Sequence, residues 1–246
     1  MVKSKEMRAV ARKKLKGHWI QAIGVCIFIT LASMLIGGVL YEGISLLSGV
    51  ITMIIVAPLT FGLDLYMLKI SKREYKFSNL FEMFRSKMIW KSIVIQLIWM
   101  IGAIISLIPI IIMAYALISD TGSNGDLAGS ITSQMGIMQQ LIMIIVTLGI
   151  LVALCIPFIM YSYSYAQIIY IAAIDSNMPI KDIFTLSRIF MRGQKWRMFR
   201  LQITYIGWYL ISLLTIGVGF IWLVPYFKEG MAVFYNEISG VGNLEN

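Results

Sequence analysis

The chain has 246 residues, 59% of them hydrophobic and only 13% charged, about half the ~25% charge of an ordinary soluble domain. Its mean hydropathy is +0.83, which excludes a soluble enzyme and a disordered tail and points to lipid as the solvent. The net charge is +9, but the positions of the basic residues argue for membrane topology rather than nucleic acid. Seven lie between Lys3 and Lys16, seven between Lys69 and Lys91, and six between Lys181 and Arg200, with only Lys228 apart. Long apolar stretches separate the clusters, so the positive-inside rule predicts a cytoplasmic location for all three. There they would meet the anionic inner leaflet, and no nucleic acid is expected as a partner.

Residues 1–18 form a basic cytoplasmic segment. The first span is expected over Trp19–Leu40, near the ~20 apolar residues that cross a bilayer and longer than the ~7–15 of a signal-peptide core. It reads as an uncleaved helix. Glu42 and Gly43 mark a short outer turn, and a second span runs over Leu47–Ile70. Phe77, Leu80, Phe81 and Phe84 then recur at helical spacing, which predicts a short amphipathic helix on the inner surface.

A third span is expected over Ile89–Ile118. An outer loop follows over Ser119–Met135, with two Asp and no Lys or Arg. Its glycines lack the Gly-Lys-Ser/Thr of a phosphate cradle. The fourth apolar stretch, Ile137–Ile174, is too long for one straight crossing, and Pro157 is the expected kink. A second amphipathic helix is expected over Ile180–Phe190 and a fifth span over Phe199–Ile216, with a turn at Gly217 and Gly219. The last segment, Phe220–Ile238, contains Pro225, Lys228 and Glu229. A central Lys alone opposes insertion by about 2.5–3.5 kcal/mol. If it crosses, both termini are cytoplasmic.

An internal repeat supports that sixth crossing. Leu15–Trp19 (L-K-G-H-W) echoes Met191–Trp196 (M-R-G-Q-K-W), and Phe84–Trp90 is a looser echo. Gln96 and Ile105-Ser106-Leu107 align with Gln202 and Ile211-Ser212-Leu213. Spans two, four and six each carry a proline followed by aromatics, at Pro58, Pro157 and Pro225; Pro109 in span three blurs the rule. The expected fold is therefore all-α: a polytopic membrane bundle of about six transmembrane helices, read as three tandem hairpins with inner-surface amphipathic helices. Residues 1–246 are taken as one domain, with hairpins at 19–70, 71–174 (including a surface helix) and 175–238 (likewise) and a tail at 239–246.

Lys228 and Glu229 are the sharpest functional lead, because ionisable residues in mid-membrane face a cavity, a partner or an ion path. Asp64, six residues after Pro58, is a candidate partner for Lys228. The bland alternatives are an ion pair that only fixes packing, or a lysine that snorkels. Tyr161 and Tyr165 share a helical face, which would line a polar cavity or belong to an inner aromatic belt. Pro58, Pro157 and Pro225 free backbone carbonyls, as in the broken helices of transporters. Lys181, Arg188, Arg192 and Lys195 are candidates for lipid-headgroup or partner contact. Cys26 and Cys155 fall in apolar spans, and the single His18 has no cluster, so neither a disulfide nor a metal is expected. No G-x-S-x-G or H-E-x-x-H occurs, and no cofactor or catalytic residue is expected.

Leu186–Tyr235, with its S-R, M-R-G-Q-K-W, I-G-W, T-I-G-V-G, W-L-V-P-Y and F-Y elements, together with Leu15–Trp19, resembles a bacterial integral-membrane family, domain-of-unknown-function family nine-seven-five. Lys228-Glu229 departs from the lower charge expected after the P-Y pair. The resemblance implies an all-helical multi-span protein of a bacterial plasma membrane and brings no catalytic residue. The leading expectation is a non-enzymatic membrane protein that binds or moves a small or amphipathic solute, or the membrane subunit of an export or envelope-stress system. The alternatives are a structural protein that holds lipid or a partner without transport, and an intramembrane enzyme. A homo-oligomer or a membrane-complex partner is compatible with either non-enzymatic reading.

Overall fold

A computed structural model describes residues 3–41, 45–72, 74, 76–84, 86–122, 137–175 and 177–240. All regular structure among the described residues is helical. Helix α1 spans Ser4–Leu15, α2 Trp19–Tyr41 and α3 Ser45–Ser71. A 3-10 helix covers Phe77–Phe84, then come α4 (Ser86–Gly122), α5 (Ile137–Ser164), α6 (Ile168–Ile174), α7 (Ile180–Phe190), α8 (Lys195–Leu214) and α9 (Phe220–Ile238). The expected turn at Glu42-Gly43 and most of the expected outer loop lie outside the described residues. Helix α4 continues to Gly122, so the part of that loop from Ser119 to Gly122 is helical.

Three helices are long and apolar enough to cross a membrane, through Trp19–Ile36, Ile54–Ser71 and Met88–Ile105. These are the three that qualify among the described residues, and they fall in the first three of the six expected crossings. Helices α8 and α9 have 20 and 19 residues, but Lys195, Arg197 and Arg200 occupy the first, and Lys228, Glu229 and Glu237 the second. The fourth expected span is divided. Helix α5 passes Pro157 and ends at Ser164, and a turn at Tyr165–Gln167 separates it from α6. The interruption therefore falls after the proline. Gln167 (φ −99°, ψ 0°) sits in the bridge region as the N-cap of α6.

The chain forms two compact units, Met1–Gln96 with Tyr163–Asn246, and Leu97–Ser162. In the first, α3 is the central helix. Its apolar window is 72% buried, against 22% for that of α2. Helices α1, α2, α6 and α9 and the 3-10 helix pack around α3. Helix α1 is basic, yet Met7, Ala11 and Leu15 recur every fourth residue and are buried, so one stripe faces the core while Lys5, Arg12 and Lys13 stay outside. Its first turn is closed by Glu6, whose carboxylate accepts the Lys3 backbone N–H at 3.0 Å. Gly17, at φ +89°, ends α1 in the left-handed region and turns the chain into α2.

The 3-10 helix is held against α3. Asn79, Leu80 and Met83 are buried, while Phe77, Phe81 and Phe84 are exposed. Leu80 therefore leaves the outward apolar face expected from its spacing. Lys69 forms an ion pair with Glu82 and donates to Asn79 Oδ1 at 3.4 Å. The second unit places Tyr161 edge-on to Trp99, with ring centroids 6.1 Å apart, over Gly102, where a Cβ would stand 2.8 Å from the Tyr161 ring.

Candidate functional site

The charged residues of α3 and α9 meet in the core of the first unit. Lys228 Nζ donates to Asp64 Oδ1 at 2.6 Å, with side-chain exposures of 30% for Lys228 and 8% for Asp64. Asp64 is carried by the central helix, so protein rather than lipid surrounds it. Pro58 lies one and a half turns earlier and removes the N–H that would serve the carbonyl of Ile54. Just after it, the Thr60 hydroxyl hydrogen-bonds the carbonyls of Val56 and Ala57, both at 3.0 Å. Pro225 stands three residues before Lys228 on α9, so both partners of the pair sit close to a proline.

Beside the pair lies a polar cluster built by α1, α3 and α9. Lys14 Nζ, from α1, donates to the Ser71 carbonyl at 2.6 Å and to Ser71 Oγ at 2.7 Å. Asn236 Nδ2, from α9, donates to the same hydroxyl at 2.8 Å. Two donors use both lone pairs of that oxygen, which leaves its own proton to give. Glu229 is fully buried, and Ser71 and the Lys14 ammonium both bear on its carboxylate. Neither Glu229 oxygen, however, has a partner that meets hydrogen-bond geometry, and the same is true of Asn236 Oδ1 and the Tyr205 hydroxyl. Tyr205 reaches α9 at Gly230, where a Cβ would stand 2.2 Å from its hydroxyl oxygen. The cluster thus holds more acceptors than its donors satisfy.

Tyr161 belongs to the second unit. Tyr165 lies past the end of α5, so the shared helical face does not form. Its hydroxyl accepts from Arg188 Nη2 at 2.5 Å, its ring takes the same guanidinium at 5.6 Å, and Phe184 packs on it at 5.2 Å. Tyr163, one turn before Gln167, donates to Gln202 Oε1 at 2.6 Å. Lys181 and Arg192 are exposed, and Lys195 is half-buried. A cavity of about 10 Å³ is lined by Phe61, Met83, Met88, Lys91, Ser92, Ile95, Ile169 and Ala172, room for about one water molecule. Asp64, Lys228, Glu229 and the two tyrosines are not among its lining residues. Among the described residues, no three His, Cys, Asp or Glu side chains are grouped to hold a metal ion.

Sequence reasoning passed over Lys14, Ser71 and Asn236. It also passed over Arg197, whose Nη2 grips both Glu237 oxygens at 2.7 and 2.8 Å and ties α8 to α9.

A family model described as "Protein of unknown function (DUF975)" matches residues 1–241. The chain belongs to that family. The match takes in α1 through α9, so the Lys14–Ser71–Asn236 cluster and the Asp64–Lys228 pair fall inside the family's extent. No curated protein and no solved structure matches the chain.

Proposed function

We propose that this DUF975 member is a non-enzymatic multi-span membrane protein that binds or moves a small or amphipathic solute, with Asp64, Lys228 and Glu229 as its working centre. The observation that carries the reading is the fully buried Glu229 carboxylate, answered by Ser71 and Lys14, one residue along α9 from the Asp64–Lys228 pair. A buried ion pair can be a packing device, but a further fully buried carboxylate beside it is costly to desolvate and calls for a use. A solute ammonium would compete with Lys228 for Asp64, and a solute carboxylate or phosphate would compete with Asp64 for Lys228. Pro58 and Pro225 weaken the helix hydrogen bonding where such an exchange needs the backbone to give.

In this reading the three basic clusters face the cytoplasm of a bacterial cell. Helices α8 and α9 complete a six-span bundle of three tandem hairpins, with both termini inside. Thermal-shift screening of the detergent-solubilised protein tests it, using amino acids, small amines, carboxylates and short-chain phospholipids as probes. A ligand at one hundred times its Kd stabilises by about 2.7 kcal/mol. The expected result is a probe that raises the Tm of the wild type and not of Lys228→Met. A shift of equal size in both removes the charge centre from the function.

A second reading has its own observation. Lys181, Arg188 and Arg192 are exposed on and just after α7, with Ile189 and Trp196 exposed beside them. Cations flanking outward apolar groups suit anionic headgroups or a membrane partner. There the rim is the working surface and no solute moves. Replacing the three cations with glutamine would then strip lipid that the wild type retains in native mass spectrometry, and Lys228→Met would not.

A further inference from the structure

We propose that the 3-10 helix Phe77–Phe84 is a membrane anchor. Its outward aromatic row would rest on the acyl chains of inner-leaflet phospholipid, level with Gly62 on α3 and Phe28 on α2, and so set the depth of the Asp64–Lys228 pair. The inference rests on reading α2 as a membrane span, and it deepens the proposed function by placing the charge centre.

The row is continuous and rigid. Phe28 of α2 packs edge-on to Phe77 at 6.1 Å, Phe77 to Phe81 at 5.8 Å, and Phe81 lies 6.2 Å from Phe84. All four rings are exposed. The opposite side of the 3-10 helix is clamped to α3. Lys69 binds Glu82 and Asn79, and the Asn79 amide donates to the Glu74 carbonyl at 3.3 Å. The Leu80 carbonyl oxygen comes so near Gly62 that a Cβ there would stand 2.2 Å from it. The exposed rings are therefore presented by a fixed support.

The occupant follows from Phe28. It lies inside the apolar window Trp19–Ile36, which is only 22% buried, and Leu31 is likewise exposed. Lipid that covers α2 at Phe28 meets Phe77 as the next surface. Lys72 and Lys76 stand between the end of α3 and this row, and a lysine stem along apolar surface with its ammonium at phosphate level is the usual boundary arrangement. Helix α3 then runs from the boundary into the membrane. At 1.5 Å per residue, Asp64 lies about 10 Å in from Ser71, within one leaflet of a ~30 Å hydrocarbon core. The ion pair would thus sit in the inner leaflet, reachable from the cytoplasmic side.

Photocrosslinking of the full chain in vesicles of phosphatidylethanolamine and phosphatidylglycerol tests this. Phe81→p-benzoylphenylalanine probes the row, and Leu31→p-benzoylphenylalanine probes α2; both positions are exposed, so the probe needs no core repacking. The expected result is an intact-mass increase of one phospholipid at both positions. An adduct at 31 and none at 81, or a protein crosslink at 81, overturns the anchor and leaves the α2 span standing. No adduct at either overturns both. An adduct at 81 alone overturns the continuity with α2 on which the anchor rests. None of these outcomes depends on whether Lys228→Met loses a ligand, so the two proposals fail separately.

Discussion

Replacing Lys228 with methionine keeps the length of the side chain and removes its charge. The lost contact is the 2.6 Å bond to Asp64, and the group left behind is an aspartate 8% exposed on the central helix. Breaking a buried ion pair from one side is destabilising by about 3–5 kcal/mol, because the remaining charge has no partner. Lys228 keeps 30% of its side chain accessible, so water relieves part of that, and the low end, about 3 kcal/mol, applies. At about 2–4 °C per kcal/mol for a chain of this size, the Tm falls by about 6–12 °C. The assay is thermal unfolding in detergent at one scan rate, read by circular dichroism, on a double-mutant cycle. Asp64→Asn and Lys228→Met are each expected below the wild type. The double variant is expected above both singles, since removing both charges leaves nothing unpaired. A double variant whose loss equals the sum of the single losses would falsify the pair as an energetic unit.

Gly62→Ala forces a Cβ to within 2.2 Å of the Leu80 carbonyl oxygen, a backbone atom that cannot swing away, and the Tm is expected to fall by the ~1–3 kcal/mol typical of overpacking. Gly24→Ala on α2 meets nothing within 4 Å and should leave the Tm unchanged or slightly raised. In the turn between α8 and α9, Gly219→Ala places a Cβ 2.7 Å from Ser212 Cα and 2.5 Å from its Oγ. It should open the hairpin, seen as faster proteolysis between residues 214 and 220. Arg197→Lys gives up the grip on both Glu237 oxygens, the 2.7 Å bond to Gln194 and the stacking over Phe234. A Tm loss equivalent to about 1–2 kcal/mol is expected, because a lysine cannot hold the three together.

Helices α2, α3, α7 and α9 were legible because apolar runs and basic breaks punctuate them, and the ends of α7 and α9 fall where the pattern ends, whereas α1 was expected only as a basic segment. Asp64 and Lys228 were legible for another reason. Charge is so rare in these stretches that the two stand out, and each needs a partner. What the pattern hid was context. Nothing in Tyr161–Tyr170 distinguishes a continuous helix from one that breaks at Tyr165–Gln167, so the expected tyrosine face dissolved there. The spacing of Phe77, Leu80, Phe81 and Phe84 implied one apolar face. In a 3-10 helix side chains three apart eclipse, so Leu80 pairs with Met83 inward and Phe81 with Phe84 outward, while Phe77, at the first position, departs from the rule and is exposed. The Lys14–Ser71–Asn236 cluster joins residues 57 and 165 positions apart, and neither a serine nor an asparagine announces a role by its type.

The burial of α3 explains why the charges stand where they do. An aspartate on the outer side of α2 or α4, whose windows are 22% and 17% buried, would meet hydrocarbon, at about 2.5–3.5 kcal/mol per charge on insertion scales. On α3, at 72%, the same residue meets Lys228 and never faces lipid. Helix α9 supplies the partner because it packs on α3 along the turns that carry both Lys228 and Asn236. Lys228 and Glu229 are adjacent and so about 100° apart on the helix. One reaches Asp64, and the other turns to the Ser71 cluster that α1 closes with Lys14. The apolarity that makes α3 fit to cross a membrane and the enclosure that admits its charge are therefore separate properties. The first is local in sequence, and the second depends on α1 and α9 from the two ends of the chain closing over the same helix.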